Sequence, residues 1–369
     1  MITYEFKLRP NKAQEAALWL QLQLTRELYN TALQDLIAHY KETGKHLNLF
    51  TQDKAHNKAT HPQMPAALVD TTLKRLHLSF AHFFRRCKEG ARKKGFPRFK
   101  PANRWHSLHF RDAAGNGISD CYFKAGKILG GRIRFNRHRD IKGVIKFCRV
   151  LRKPSGWILQ VVCETKLEPL PKTGKSIGLD FGVRHLVTDS NGGKVGNPNH
   201  LKKSLRRLRV AQRRIARRNK GSNRRKKACR VAARIHERIG NQRRDYLHKT
   251  ARHYVNGYDT ICVENLNVSG MVKNHHLARA ITDASWTMLR RFIEAKAASA
   301  GRTVIAVPPH WTSQKCSSCG EIVQKALSVR THVCLHCGYS DCRDTNAAKN
   351  ILRLGCSLQG EVAIATSLN

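Results

Sequence analysis

Hydrophobic residues alternate over the first ten positions (Ile2, Tyr4, Phe6, Leu8) and the run stops at Pro10, the signature of one short β-strand. From Asn11 to about Lys94 the period lengthens. Leu18, Leu22, Tyr29, Leu33 and Leu36 share one helical face, as do Val69, Leu73, Leu76 and Phe80. Gly95 and Pro97 in KKGFPRFK (93–100) end this helical region. Short β-like pieces follow as far as about Leu170: HSLHF, GRIRF, GVIKFCRV and GWILQVVCET, separated by turns such as PSG (154–156). They predict a small antiparallel barrel or sandwich, with the opening strand joining it and the helices as an insertion.

EPLPKTGK (168–175) reads as a linker, and the pattern then becomes α/β. Strands SIGLDFG and HLVTDS, a turn NGG, long basic helices, strand DTICVEN, a further helix and strand RTVIAVPP succeed one another. The expected fold class is therefore multidomain α/β, with no internal repeat.

Charge narrows the set of partners. The 369 residues carry a net charge of +44, and self-repulsion of that size favours a polyanionic partner. Nucleic acid is expected rather than membrane, because no apolar run approaches the roughly 20 residues of a spanning helix. MITYEFKLRP lacks the apolar core of a secretory signal, so a cytoplasmic location and reduced thiols among the twelve cysteines are expected. Residues 201–230 contain fifteen Lys or Arg and no acid. A solvated helix face normally mixes signs, because like charges four residues apart repel. This run, with Arg206, Arg207, Arg213, Arg214, Arg217, Arg218, Lys220, Arg224 and Arg225, predicts a surface for a phosphate backbone, broken at Gly221-Ser222.

CSSCG supplies Cys316 and Cys319, and CLHCG supplies Cys334 and Cys337. Each CxxC puts two thiolates on one tight knuckle, and the glycine after it eases the turn. Two knuckles complete a closed tetrahedral zinc site, structural because four thiolates leave no open position. His332 and His336 read as bystanders, and Cys342 stands too far beyond Cys337 to share its knuckle.

Only twelve acids occur from Ser176 to the end. Asp180 lies in the apolar strand SIGLDFG just before Phe181-Gly182, Glu264 lies at the end of TICVEN and Asp344 begins the last helix. Each also has a plainer reading: a turn residue, a strand-end residue facing solvent, and an N-cap worth about 1 kcal/mol. Taken in order they match the three carboxylates that converge in an RNase H-like sheet. Such a cluster is stabilised by hard divalent cations, and two of them suit phosphodiester hydrolysis.

At these residues the chain resembles the TnpB family, transposon-encoded RNA-guided DNA endonucleases related to type V CRISPR effectors. GLDFGVRHLVT (178–188) is similar to the first RuvC motif and VENLNVSGM (263–271) to the second. SQKCSSCG, CLHCG and RDTNAAKNIL resemble the zinc ribbon and the third motif, and GFPRFK and RRNKGSNRRKK are also family-like. The resemblance implies a wedge-like β-barrel (1–10 and 96–172), a helical recognition lobe (11–95), a RuvC-like nuclease domain (173–310 and 339–369) and a zinc ribbon inserted at 311–338. It implies Asp180, Glu264 and Asp344 as ligands of two Mg²⁺ ions, and one structural Zn²⁺ on Cys316, Cys319, Cys334 and Cys337. Arg343 is expected near the scissile phosphate. A guide RNA from the transposon end and target double-stranded DNA beside a short flanking motif are the implied partners, in a prokaryotic, nucleoid-associated setting. Where the family commonly has Asp-Arg-Asp, this chain has Cys342-Arg343-Asp344, with Asp341 one position earlier to compensate in charge. The alternatives are a nuclease-silent RNA-guided repressor, an RNase H-fold DNA transposase, or a ribosomal or transcriptional zinc-ribbon binder.

Overall fold

The computed structural model describes residues 1–57, 59–111, 117–124, 126–326 and 329–367, with side chains as far as Gln359. The chain divides into two compact units, Met1–Lys166 and Leu167–Asn369.

The first unit opens with β1 (Ile2–Arg9), whose alternation buries Tyr4, Phe6 and Leu8. Helix α1 (Lys12–Thr43) begins at a capping box: the Asn11 side chain accepts from the Gln14 N–H and the Gln14 side chain from the Asn11 N–H. It stops at Gly44, whose φ of 66° suits a glycine. Helices α2 (Leu49–Ala55) and α3 (Ala66–Lys88) follow. Both predicted helical stripes are buried, Leu18, Leu22, Tyr29, Leu33 and Leu36 on α1 and Val69, Leu73, Leu76 and Phe80 on α3. They share one core with the inward residues of the strands.

Those strands are β2 (Ser107–Phe110), β3 (Ile118–Ser119), β4 (Tyr122–Lys124), β5 (Arg132–Asn136), β6 (Val144–Lys153) and β7 (Gly156–Glu164). They form one antiparallel sheet in the order β2-β6-β7-β1-β5-β4-β3. The opening strand does join the later ones, lying between β7 and β5. Among the described residues no pairing links β2 to β3, the contact that would close this order into a barrel. Hydrophobic alternation fixes which face of a strand is buried, whereas closure depends on stagger along the whole sheet.

The second unit holds a five-stranded sheet. Its strands are β8 (Ser176–Asp180), β9 (His185–Asp189), β10 (Lys194–Gly196), β11 (Thr260–Glu264) and β12 (Thr303–Val307), in the order β10-β9-β8-β11-β12. The hairpins β8–β9 and β9–β10 are antiparallel, and β8, β11 and β12 are parallel. Between β10 and β11 run α4 (His200–Ala216) and α5 (Asn223–Gly257). Helices α6 (Val268–Met271), α7 (His275–Ala284) and α8 (Trp286–Ala300) precede β12. A two-stranded ribbon, β13 (Thr331–Val333) with β14 (Ser340–Cys342), leads directly into α9 (Arg343–Ser367).

The two faces of this sheet differ. Ile177, Leu179, Val187, Ile261 and Val263 pack with Leu247, Ala251 and Tyr254 of α5 and Leu289, Ile293 and Ala297 of α8. The alternate residues turn to α9, which approaches unusually closely: a Cβ on Gly178 would overlap the Ala348 carbonyl, and one on Gly355 would overlap Cys262 Sγ. The run Asn346-Ala347-Ala348 is small enough to permit this approach, and both alanines are buried.

Candidate active site and zinc centre

Asp180 and Glu264 are the last residues of neighbouring parallel strands. The register pairs Thr260 with Ser176 and continues to Val263 with Leu179, so Glu264 lies abreast of Asp180. Strand residues abreast of one another project from the same face. Gly178, two residues before Asp180, is covered by α9, so that face is the α9 face. Helix α9 runs antiparallel to β8, with Ala348 over Gly178, so its first turn and Asp344 come to the end of the strand where Asp180 lies. The three sequence-predicted carboxylates are therefore brought to one end of the sheet. Three other acids of this unit are held by backbone N–H groups: Asp189 by Asn191 and Gly193, Asp259 by Thr173 and Gly174, and Asp283 by Leu201 and Lys202.

Electrostatics mark the cluster. Removal from water, then the Glu264 and Asp344 charges, hold the Asp180 carboxyl well above its ordinary value, and the Arg343 guanidinium only partly opposes them. Burial also raises Glu264, against a hydrogen bond from Thr312. Carboxylates that repel one another in a site short of water fit a divalent cation bound through oxygen. Asp344 at present pairs with Arg343 at 3.2 Å and Arg330 at 4.0 Å.

Cys342, not Asp344, is the residue that precedes α9, and the backbone N–H groups of Asp344 and Thr345 lie close enough to its sulfur to favour the thiolate. Asp344 thus lies inside the first turn rather than at the cap expected from the sequence. Burial disfavours the Cys342 thiolate, but those two N–H groups and Lys194 more than compensate and lower its pKa. Lys194 sits on the same sheet row, paired with Thr188, which is paired in turn with Asp180. Asp341 does not compensate for the missing aspartate: its carboxylate is taken by Lys349 at 2.8 Å and the Tyr339 hydroxyl at 2.6 Å. Neighbouring strand residues point to opposite faces, which separates Asp341 from Cys342. Arg343 has its guanidinium on Asp344 and on the Val329 carbonyl at 3.1 Å, with 15% of its side chain exposed.

The ligand atoms of Cys316, Cys319, Cys334 and Cys337 all lie within 4.8 Å of one another. The two knuckles repeat one backbone pattern. Cys316 N–H donates to the Glu321 carbonyl at 2.8 Å and Gly320 N–H to the Cys316 carbonyl at 2.9 Å. Cys334, Tyr339 and Gly338 repeat both bonds at the same lengths. Gly320 and Gly338 have φ of 87° and 73°, the left-handed conformation that explains a glycine after each CxxC. Burial opposes ionisation of Cys316, but the backbone of Cys319, the His332 ring, the backbone of Ser318 and the Cys337 thiol bring it down to about 6. The Glu321 backbone favours the Cys319 thiolate, yet burial and the three neighbouring sulfurs push it up to about 12. Four sulfurs this close cannot all ionise unless a cation neutralises them, and an all-sulfur tetrad suits zinc. His332 is more than a bystander: it is fully buried, against Cys316 on one side and Lys325 on the other.

The basic run forms the α4–α5 pair. Arg206, Arg207, Arg213, Arg214, Arg217, Lys220 and Arg224 are exposed, and Arg218 and Arg225 are half-buried. Arg225 serves the fold, donating to the carbonyls of Ile215 at 2.7 Å and Arg218 at 3.1 Å and so closing the end of α4. Asp283 of α7, itself paired with Arg243 at 2.8 Å, satisfies the first N–H groups of α4. Between the two helices lies a groove of about 410 Å³ bordered by Lys203, Arg207, Arg234 and Arg238. None of the described helices is long and apolar enough to cross a membrane.

A mixed sheet with carboxylates at the ends of its central strands, a helix bringing a third, and a Cys₄ knuckle pair define a multidomain α/β fold like that of the RuvC-containing Cas12 proteins. Along 91% of this chain and 82% of the other, the fold superposes on Cas12f1 from a complex with single guide RNA and target DNA, with a TM-score of 0.59 and 15% identity. A Streptomyces pristinaespiralis protein named "Putative RNA-guided DNA endonuclease" is 32% identical over 95% of this chain and 89% of its own length. Escherichia coli K12 has a relative named "Putative RNA-guided DNA endonuclease InsQ", 29% identical over 95% of this chain and 92% of its length. Family models match residues 159–275 ("Probable transposase", OrfB of IS605), 286–351 ("Cas12f1-like, TNB domain") and 1–45 ("Helix-turn-helix domain"). The chain belongs to the TnpB family, the OrfB proteins of IS605-type elements. Its residues 1–45 fold as one strand and one 32-residue helix rather than as a helix-turn-helix.

Proposed function

We propose that this protein is an RNA-guided, Mg²⁺-dependent DNA endonuclease that hydrolyses phosphodiester bonds in guide-matched DNA beside a short flanking motif. The observation that carries this reading is the convergence of Asp180, Glu264 and Asp344 at one sheet end, in a chain of net charge +44. Asp180 and Glu264 would hold cations from the sheet, and Asp344 from the first turn of α9. Two Mg²⁺ ions held there would supply activation of a water and stabilisation of the leaving oxygen. Arg343 would reach a phosphate only by giving up part of its pairing with Asp344. The Cys₄ tetrad would hold one structural Zn²⁺.

The exposed cations of α4 and α5 suit a guide RNA from the transposon end and the target duplex. On this reading 1–10 and 96–172 act as a wedge-like β-barrel, 11–95 as a recognition lobe, 173–310 and 339–369 as the nuclease, and 311–338 as the inserted ribbon. The working location would be the cytoplasm of a prokaryote, at the nucleoid.

The test is co-expression with the flanking transposon-end RNA, followed by incubation of the purified particle with Mg²⁺ and plasmids carrying a matched target beside randomised sequence. Linearisation that requires the match and disappears in Asp180→Ala supports the reading, and intact plasmid for every flanking sequence overturns it. The family description "Probable transposase" keeps strand transfer as a second reading; cleavage that survives RNase treatment of the particle would favour it.

A further inference from the structure

One carboxylate of the cluster has a dedicated partner outside the sheet. Thr312 Oγ1 donates a 2.6 Å hydrogen bond to Glu264 Oε1, and both residues are buried. The Pro309 carbonyl, the other acceptor within reach, is 3.4 Å away, so the single hydroxyl proton belongs to Glu264. That bond occupies one lone pair of Oε1 and leaves Oε2 free. Thr312 follows Trp311, whose φ of 64° is the left-handed conformation that a bulky residue rarely adopts. The segment is held there by helix α9. Asn350 Nδ2 donates to the carbonyls of Thr312 at 2.9 Å and Lys315 at 2.7 Å. Asn346 Nδ2 also donates to the Lys315 carbonyl at 2.7 Å, and its Oδ1 accepts from Ser317 N–H at 2.8 Å. Both asparagines are buried, and they lie one turn apart on the helix that carries Asp344.

We propose that Thr312 is a positioning residue that fixes Glu264 for divalent-cation binding, and that Asn346 and Asn350 tie this constraint to the first zinc knuckle at Cys316. The strap 312–317 is thereby shared by two centres: one end orients a nuclease carboxylate, the other carries a zinc thiolate. A buried carboxylate at the end of a strand would otherwise choose among rotamers. The hydroxyl selects one, and the α9 asparagines hold the hydroxyl in the same frame as Asp344.

This inference rests on the nuclease reading of the carboxylates, and its test separates the two. Thr312→Val and Thr312→Ser are prepared as the full chain with its bound RNA. Mn²⁺ binding is followed by electron paramagnetic resonance, with Asp180→Asn as the blank that isolates ions bound at the carboxylates. A hydrogen bond to a charged group is strong enough that its loss should raise the Mn²⁺ concentration for half-occupancy about tenfold or more in Thr312→Val. Thr312→Ser should stay within about twofold of the parent, and target-DNA binding should be unchanged in both. Parent-like Mn²⁺ binding by Thr312→Val overturns the proposal, as does a Thr312→Ser variant that weakens binding as much as Thr312→Val. If the parent binds Mn²⁺ at the carboxylates but cuts no DNA, the nuclease reading fails while the Thr312 comparison still decides this one.

Discussion

Gly178 lies directly under the Ala348 carbonyl of α9, with no room for a Cβ between them. The contact sets the height of α9 above the sheet and so the distance from Asp344 to Asp180. Gly178→Ala should push the helix outward at a cost of about 1–3 kcal/mol, and it should weaken Mg²⁺-dependent cleavage more than RNA binding. Urea denaturation and Mg²⁺ titration of cleavage check the two halves.

Asp180 should make metal-free stability depend on pH. In the unfolded chain its carboxyl ionises near the ordinary value of 3.8, whereas burial and the neighbouring carboxylates raise it in the fold. The folded state therefore holds an extra proton across that interval, and its stability falls as pH rises through it. Mg²⁺ competes with the same proton, so its apparent affinity should rise with pH over that range. Asp180→Asn should melt higher than the parent without metal at about pH 8, and added Mg²⁺ should no longer stabilise it. Calorimetric melts at about pH 6 and about pH 8, with and without Mg²⁺, test both signs.

The sulfur tetrad predicts one zinc per chain. Cys316→Ser should lose that zinc by elemental analysis and lower the melting temperature, because structural zinc binding and folding are coupled. A chelator should do the same to the parent, and re-addition of Zn²⁺ should restore it. Unchanged melting in the zinc-free variant would remove the structural role.

Two adjacent arginines should behave differently. Arg225 closes the end of α4 through the Ile215 and Arg218 carbonyls, so Arg225→Ala should cost about 1–2 kcal/mol of stability. The Arg224 side chain is exposed, so Arg224→Ala should leave melting unchanged. It should also reduce the slope of log affinity against log salt by about 0.7–0.9. Filter-binding at several salt concentrations, beside thermal melts, separates the two roles.

Much of this site is legible along the chain because its signals are local. A glycine after each CxxC, an apolar strand ending in a carboxylate, and thirty residues without an acid each follow from short-range chemistry, and all appear where the sequence puts them. The cap of α9 is not legible. Asp344 has the better propensity for an N-cap, yet β14 runs on to Cys342 through its pairing with Thr331, so the helix starts at Arg343 and takes Asp344 into its first turn. Asp341 likewise reads as a substitute carboxylate until strand alternation turns it toward Lys349. Barrel closure in the first unit is also beyond a local pattern, because it depends on the stagger of seven strands.

The sequence by itself determined the main strands and helices, the two hydrophobic stripes of the helical region, the four-cysteine cluster and the carboxylates to examine, since periodicity and residue spacing are properties of neighbouring residues. Only the tertiary structure decided what holds those carboxylates. Asp180 and Glu264 share a row because two strands distant in sequence pair in a particular register. Asp344 reaches them because Gly178 lets a helix backbone touch the sheet. Thr312 meets Glu264 across 48 residues, a contact for which no local pattern carries a signal.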